Sequence, residues 1–247
     1  VYKRQLPTIS SVSLASNNST IAVTMSEAVF NTNGGSGALE VADFALSISG
    51  GQATLASATP SSISISGNVY TLGIGLSGTP NGSEALKVMP VDNSIYDTAG
   101  NEASDSTQSN NTATLNEKVS PAINIAVANS GGTAVPDGAT TNDATLTVTF
   151  TSSEATTNFV AGDITVSGGA ISNFAVTSST VYTATFTPSA AGATTIDVAA
   201  NTFTDAAGNN NTAATQFNWT YKVVYVYNVK KDGTGDFTTI QSAINAA

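Results

Sequence analysis

Asp97-Thr98-Ala99-Gly100-Asn101 returns further along the chain as Asp205-Ala206-Ala207-Gly208-Asn209, and this repetition decides the fold. Each copy sits late in a stretch of alternating Val, Ile, Thr and Ser. Each is also preceded by a strand-like run ending in Ser-Glu: Met25-Ser26-Glu27 in the first stretch, Ser152-Ser153-Glu154 in the second. A further echo lies between the markers, Ala42-Asp43-Phe44 against Gly162-Asp163-Ile164. Markers recurring in one order identify a duplicated unit, and a unit of about 105 residues is the size of a single domain. The chain reads as a tandem array and not as one large core.

Working outward from the repeats, period-two alternation predicts strands over 9–15, 20–25, 43–49, 52–58, 62–66, 69–76, 85–91 and 112–115 of the first unit. Turns at Gly34-Gly35-Ser36-Gly37, Gly50-Gly51, Ser66-Gly67-Asn68 and Pro80-Asn81-Gly82 separate them. The second unit gives strands over 123–128, 144–151, 163–167, 171–177, 181–187, 194–199 and 216–221. About seven short strands at roughly ten-residue spacing predict an antiparallel β-sandwich of immunoglobulin type. The expected fold class is all-β: two tandem Ig-like sandwiches, over 6–117 and 118–222, plus a short C-terminal strand–turn–helix over 223–247. The hinge is expected at Asn116-Glu117-Lys118-Val119-Ser120-Pro121, a short joint and not a floppy tether.

Composition narrows the function classes. Seven basic against 17 acidic residues give a net charge of −10, which argues against nucleic acid or an anionic membrane as partner. Cysteine and histidine are both absent, so disulfides, thiolate metal sites and His-based triads are excluded within these residues. No run of 18 apolar residues occurs, so no membrane insertion is expected. A sparsely basic, acidic surface suits divalent cations and solubility outside the cell. Val1-Tyr2-Lys3-Arg4-Gln5 is what GTG TAT AAG AGA CAG encodes, a sequence like the transposon end used in sequencing libraries. Residues 1–5 are therefore read as an adaptor artefact on a metagenomic fragment.

In the tail, 225–229 is expected to be a strand and Lys231-Asp232-Gly233-Thr234-Gly235-Asp236 a tight turn. A helix is expected from Phe237, with Thr238 and Gln241 as capping box and Ile240, Ala243, Ile244 and Ala247 on one face. The Gly-x-Gly in that turn is no dinucleotide fingerprint, since Thr238 stands where the third glycine belongs.

In an immunoglobulin sandwich the loops after the second and sixth strands meet at one pole. This places Glu27 with Asp97 and Asn101 in the first unit, and Glu154 with Asp205 and Asn209 in the second. The second cluster is expected to face the linker at Glu117, where a cation would stiffen the joint. Carboxylates with an Asn carbonyl are hard oxygen ligands of the kind Ca²⁺ takes. The alternative is that Asp-x-x-Gly-Asn is a favourable turn, Asp accepting backbone N–H bonds while Gly-Asn supplies positive φ. Both readings stand at this point. Asp43 and Asp163 are expected to begin strands and not to bind metal. Glu27 with Asp97 is on paper a glycosidase pair. Its recurrence on a scaffold with few charged neighbours and little aromatic surface favours a structural role, so no catalytic residue is assigned. Trp219 is read as a core anchor in the last strand.

Residues 122–221 resemble the bacterial immunoglobulin-like domains of secreted and surface proteins. The resemblance rests on Leu146-Thr147-Val148-Thr149-Phe150, Ser153-Glu154, Gly162-Asp163-Ile164-Thr165-Val166, Val181-Tyr182-Thr183-Ala184 and Phe203-Thr204-Asp205-Ala206-Ala207-Gly208-Asn209. Residues 7–117 are similar to a longer, more divergent relative. The resemblance implies an extracellular or cell-surface location and a spacer role in adhesins or extracellular enzymes. It implies neighbouring domains of the same chain as partners, sometimes Ca²⁺ between domains, and a glycan or cell-surface ligand as a further expectation. No cofactor is required. Val229-Lys230-Lys231-Asp232-Gly233-Thr234-Gly235-Asp236-Phe237-Thr238-Thr239-Ile240-Gln241-Ser242-Ala243-Ile244 resembles the opening of a right-handed parallel β-helix of the pectinesterase and pectate-lyase kind. In that family this strand and helix cap the solenoid, and the catalytic groups would lie beyond Ala247.

Overall fold

The computed structural model describes residues 5–224 and 227–246. The chain divides between Val119 and Ser120 into two compact units. Residues 1–4 of the N-terminal pentapeptide, Tyr225 and Val226 of the expected tail strand, and Ala247 of the helix lie outside the described residues.

Unit 1 contains β1 (Ile9–Leu14), β2 (Thr20–Met25), β3 (Phe44–Ser49), β4 (Thr54–Leu55), β5 (Ile63–Ser66), β6 (Val69–Gly73), β7 (Leu76–Ser77), β8 (Ala85–Pro90) and β9 (Thr112–Thr114). They form sheets in the orders β1-β2-β6-β5 and β3-β8-β9, with β4-β7 as a small extra pair. Alternation along β2 turns Ile21, Val23 and Met25 inward. There they meet Tyr70 and Leu72 of β6, Phe44 and Leu46 of β3, and Leu86 and Val88 of β8. Each such side chain contributes about 1.5–3 kcal/mol on burial.

Unit 2 contains β10 (Ile123–Asn129), β11 (Ala134–Val135), β12 (Ala139–Thr141), β13 (Leu146–Ser152), β14 (Ile164–Ser167), β15 (Gly169–Val176), β16 (Val181–Pro188), β17 (Gly192–Val198) and β18 (Phe217–Tyr221). Its sheets run β11-β10-β13-β16-β15 and β12-β18-β17-β14. Leu146, Val148 and Phe150 of β13 pack with Tyr182 and Phe186 of β16, Ile196 and Val198 of β17, and Trp219 of β18. With β11 and β12 set aside, β10-β13-β16-β15 repeats β1-β2-β6-β5, and β14-β17-β18 repeats β3-β8-β9. This is the seven-strand order of the constant-type immunoglobulin sandwich. The all-β fold and its sandwich type are as the sequence pattern led one to expect.

Several local expectations need correction. The run 69–76 is not one strand. After Gly73 the chain leaves the β2–β6 ladder, and Leu76 and Ser77 pair with β4 instead. At Gly73 itself a Cβ would lie 2.4 Å from Ser61 Oγ, so glycine is what lets the Ser61–Ser62 segment pair there. The run 52–58 shortens to Thr54–Leu55. Strands β11 and β12 were not foreseen, being two and three residues long; β12 pairs in parallel with β18, Ala139 opposite Trp219. Asp43 and Asp163 do not start strands. Each ends a 3-10 turn, its Oδ2 accepting the N–H of Glu40 at 2.7 Å or of Val160 at 2.8 Å.

In the tail the helix, α1, spans Ile240–Ile244, so it does not begin at Phe237. Its cap lies one residue beyond the expected one: Thr239, in extended conformation, accepts the Ser242 N–H at 3.1 Å. Ile240 is 71% and Ile244 61% exposed, so the apolar face is on the surface.

Candidate functional site

The repeated sequence markers become repeated hydrogen-bonding devices. Ser26 follows β2, and its N–H donates to Thr8 O at 2.8 Å while its Oγ accepts the Thr8 N–H at 3.0 Å. Ser153 does the same with Ala122, at 2.9 Å in both directions. The partner in each case follows a proline, Pro7 or Pro121. The serine of each Ser-Glu pair thus clips the entry of the first strand to the exit of the second. A tyrosine two residues into the fifth strand of the common order performs a similar task. Tyr182 Oη donates to Thr156 O at 2.7 Å and Ser179 O at 3.1 Å, whereas Tyr70 Oη reaches Val29 O only at 3.5 Å.

Asp97 and Asp205 lie in the loops between β8 and β9 and between β17 and β18. Both are buried. Asp97 Oδ1 accepts the Asn101 N–H and its Oδ2 the Asn101 Nδ2, each at 2.7 Å. Asp205 makes the same two bonds to Asn209, each at 2.9 Å. Bridges Tyr96–Glu102 and Thr204–Asn210 close each hairpin. Positive φ falls on Gly100 (+80°) and Gly208 (+89°) alone, so Asn101 and Asn209 act through their side chains and not through backbone conformation. Burial by itself would raise each Asp carboxyl. The Asn side chain and the N–H groups of the hairpin outweigh it and hold both below the usual aspartate value.

The loops after the second strand and after the sixth strand of the common order meet in both units. In unit 1, Phe30 and Tyr96 exchange backbone hydrogen bonds of 2.8 Å each way. In unit 2 side chains do this instead: Thr156 Oγ1 donates to Thr204 O at 2.7 Å, and Asn158 Oδ1 accepts the Thr204 N–H at 3.1 Å. Glu154 and Asp205 bring carboxylate oxygens within 4.8 Å of each other. Within unit 1, Glu27 and Asp97 belong to no group of three acids at such distances among the described residues. Glu117 is half-buried, and its Oε1 accepts the Val119 N–H.

For Ca²⁺, the arrangement supplies two converging carboxylates within unit 2, against the roughly six oxygens such an ion takes. In both hairpins the Asn presents its amide nitrogen to the Asp, the arrangement of a hydrogen-bonded turn. The same Asp–Asn hydrogen bonds in both hairpins give the repeated Asp-x-x-Gly-Asn a turn-forming role.

Sequence reasoning passed over Glu84, fully buried between the Gly50-Gly51 and Asn81-Gly82 turns. The signal was a lone acid just after the Pro80-Asn81-Gly82 turn and just before the strand β8. It also passed over a hollow of about 480 Å³ in unit 1 lined by Asn33, Asp92, Tyr96, Asn101, Glu102 and Asp105. At the matching hairpin positions unit 2 has Thr204 for Tyr96 and Asn210 for Glu102.

Among the described residues, no helix is long and apolar enough to cross a membrane. Comparison with the curated proteins gives no match. Against models of protein families, residues 117–221 match the bacterial Ig-like domain.

Proposed function

We propose that the two units are non-catalytic spacers of a secreted or cell-surface bacterial protein, and that residues 223–247 open a β-helix domain which they present. One observation carries the spacer reading: the recurring serine and aspartate side chains, Ser26 with Ser153 and Asp97 with Asp205, are engaged inside their own unit. Ser26 and Ser153 clip strands, while Asp97 and Asp205 close hairpins. Repetition is thereby explained by folding, and a catalytic pair on Glu27 and Asp97 has no separate support. The tail reading is supported by the parallel bridge Val229–Phe237 and by the exposed Ile240 and Ile244, which are suited to a further layer of chain.

The second reading, an accessory region that touches glycan, is favoured by the hollow of unit 1. Amide, carboxylate and phenol groups line it together, which is hydrogen-bonding chemistry suited to sugar hydroxyls with a ring for their apolar face. A glycan array probed with the whole chain separates the two. The spacer reading expects no specific binding. A ligand whose binding is lost on Tyr96→Ala would replace it with the accessory one.

A further inference from the structure

Glu84 immediately precedes β8, and backbone N–H groups supply its hydrogen-bond donors. Its Oε1 accepts from Gln52 at 2.8 Å, Ala53 at 3.0 Å and Asn81 at 3.2 Å, and its Oε2 from Asn81 at 3.1 Å. The residue's own carbonyl accepts the Leu115 N–H at 2.9 Å. One residue therefore gathers the loop before β4, the turn before β8 and the chain leaving β9. Glycine is required around it: a Cβ on Gly51 (φ +62°) would stand 2.1 Å from Glu84 Cδ.

Unit 2 shares the frame and changes the chemistry. Counted back from the turn glycine, Gly50 or Gly168, Ala85 lies opposite Ser49 and Thr195 opposite Ser167. Thr194 thus stands at the hairpin end where Glu84 stands in unit 1, whose β3 is two residues longer than β14. Gly168 repeats the tight approach of Gly50, each with a virtual Cβ 2.6 Å from a carbonyl, Ala193 O or Ser83 O. In this unit a neutral hydroxyl suffices: Thr194 Oγ1 donates to Trp219 O at 2.9 Å.

We infer that the Glu84 carboxylate is an acid-sensitive staple of unit 1, whose protonation releases the loops before β4 and β8 while unit 2 remains folded. Burial pushes this carboxyl up, but the N–H groups of Ala53, Gln52, Asn81 and Glu84 itself outweigh it and hold it at about 2, against 4.5 unperturbed. No charged side chain contributes to that value; the nearby acid Glu117, packed beside Gly82, is not among its causes. Because the folded value is the depressed one, the stabilisation is complete above pH 4.5. It is lost as pH falls from there towards 2. Asp43, raised by burial, acts in the opposite sense. Asp97 and Asp205, both lowered, act alike in the two units and do not separate them.

The test is an acid titration of the whole chain followed by amide NMR. Fluorescence of Trp219, the chain's single tryptophan, reports unit 2. Unit 1 resonances are expected to lose dispersion between pH 4.5 and 2 while Trp219 stays native. Glu84→Gln should lower the thermal midpoint of unit 1 at pH 7 by roughly 10 °C or more and flatten its pH dependence in that window. Should that variant not fold, Glu84→Ala in about 50 mM sodium formate should recover part of the lost midpoint relative to equal chloride, formate filling the vacated cradle. The inference is overturned by a Glu84→Gln profile matching the parent, by formate acting no better than chloride, or by both units unfolding at one pH.

Discussion

Unit 1 and unit 2 share a strand order and the same loop fasteners, yet their interiors are built differently. In unit 2, Phe159 stands four residues before Asp163 and is ringed by Phe150, Phe174, Tyr182 and Phe203, with centroids 5.0–5.8 Å away. In unit 1 the residue four before Asp43 is Leu39, and the aromatic pair in that core is Phe44 with Tyr70 at 5.9 Å. Unit 2 adds the parallel pairing of β12 with β18, while unit 1 adds the β4–β7 pair and the Glu84 cradle. The difference teaches that strand order and strand-clipping serines form the common frame. How the space is filled is open to substitution: the buried Asp and Asn side chains of both units keep partners, while Trp219 Nε1 in the core of unit 2 has none among the described residues.

The largest expected effect breaks the comparison at the aromatic cluster. Phe159→Ala should cost unit 2 about 3–5 kcal/mol and leave unit 1 unmoved, read as two transitions in calorimetry with Trp219 fluorescence assigning the one that shifts. Phe159→Leu borrows the choice made in unit 1 and should cost clearly less. Equal losses for the two variants would mean that the rings act together as a specific network and not as filler.

The tyrosine fasteners sharpen the comparison. Tyr182→Phe removes hydrogen bonds of 2.7 and 3.1 Å and should cost unit 2 about 1 kcal/mol. Tyr70→Phe gives up only a 3.5 Å contact, and a change within about 0.5 kcal/mol is expected in urea titrations of unit 1. The reverse ranking would show that the loops of unit 1 lean on Tyr70 more than its distance implies.

Calcium gives the smallest effect. With a millimolar Kd on the converging Glu154 and Asp205, 2 mM Ca²⁺ would stabilise unit 2 by about 0.6 kcal/mol, a rise of a few degrees that chelator reverses. Unit 1 should not respond. No shift in either transition would leave the acids of both hairpins to their turns alone.

Much of this was legible in the sequence because the markers report local needs. Ser-Glu, Asp-x-x-Gly-Asn and the inward faces of β2, β13 and β16 are dictated by neighbours in the chain or by period-two burial. Departures occur where distant segments decide. The separate strand after Gly73 depends on its pairing with β4, and β12 depends on its pairing with β18. Glu84 looked like one acid among many because its partners, Gln52 and Ala53, are more than thirty residues away. The hairpin acids were placed in the correct loops, but their hydrogen bonds to Asn101 and Asn209 could not be told from metal ligation by composition alone.

Stretching the whole chain between its ends by single-molecule force spectroscopy puts the pair of structural modules to the most direct trial. Two separate ruptures are expected, each releasing about 35 nm of chain, with unit 2 yielding at the higher force because β12 and β18, paired in parallel, are loaded in shear. One rupture of roughly twice that length, or a gradual extension without discrete events, would contradict the account.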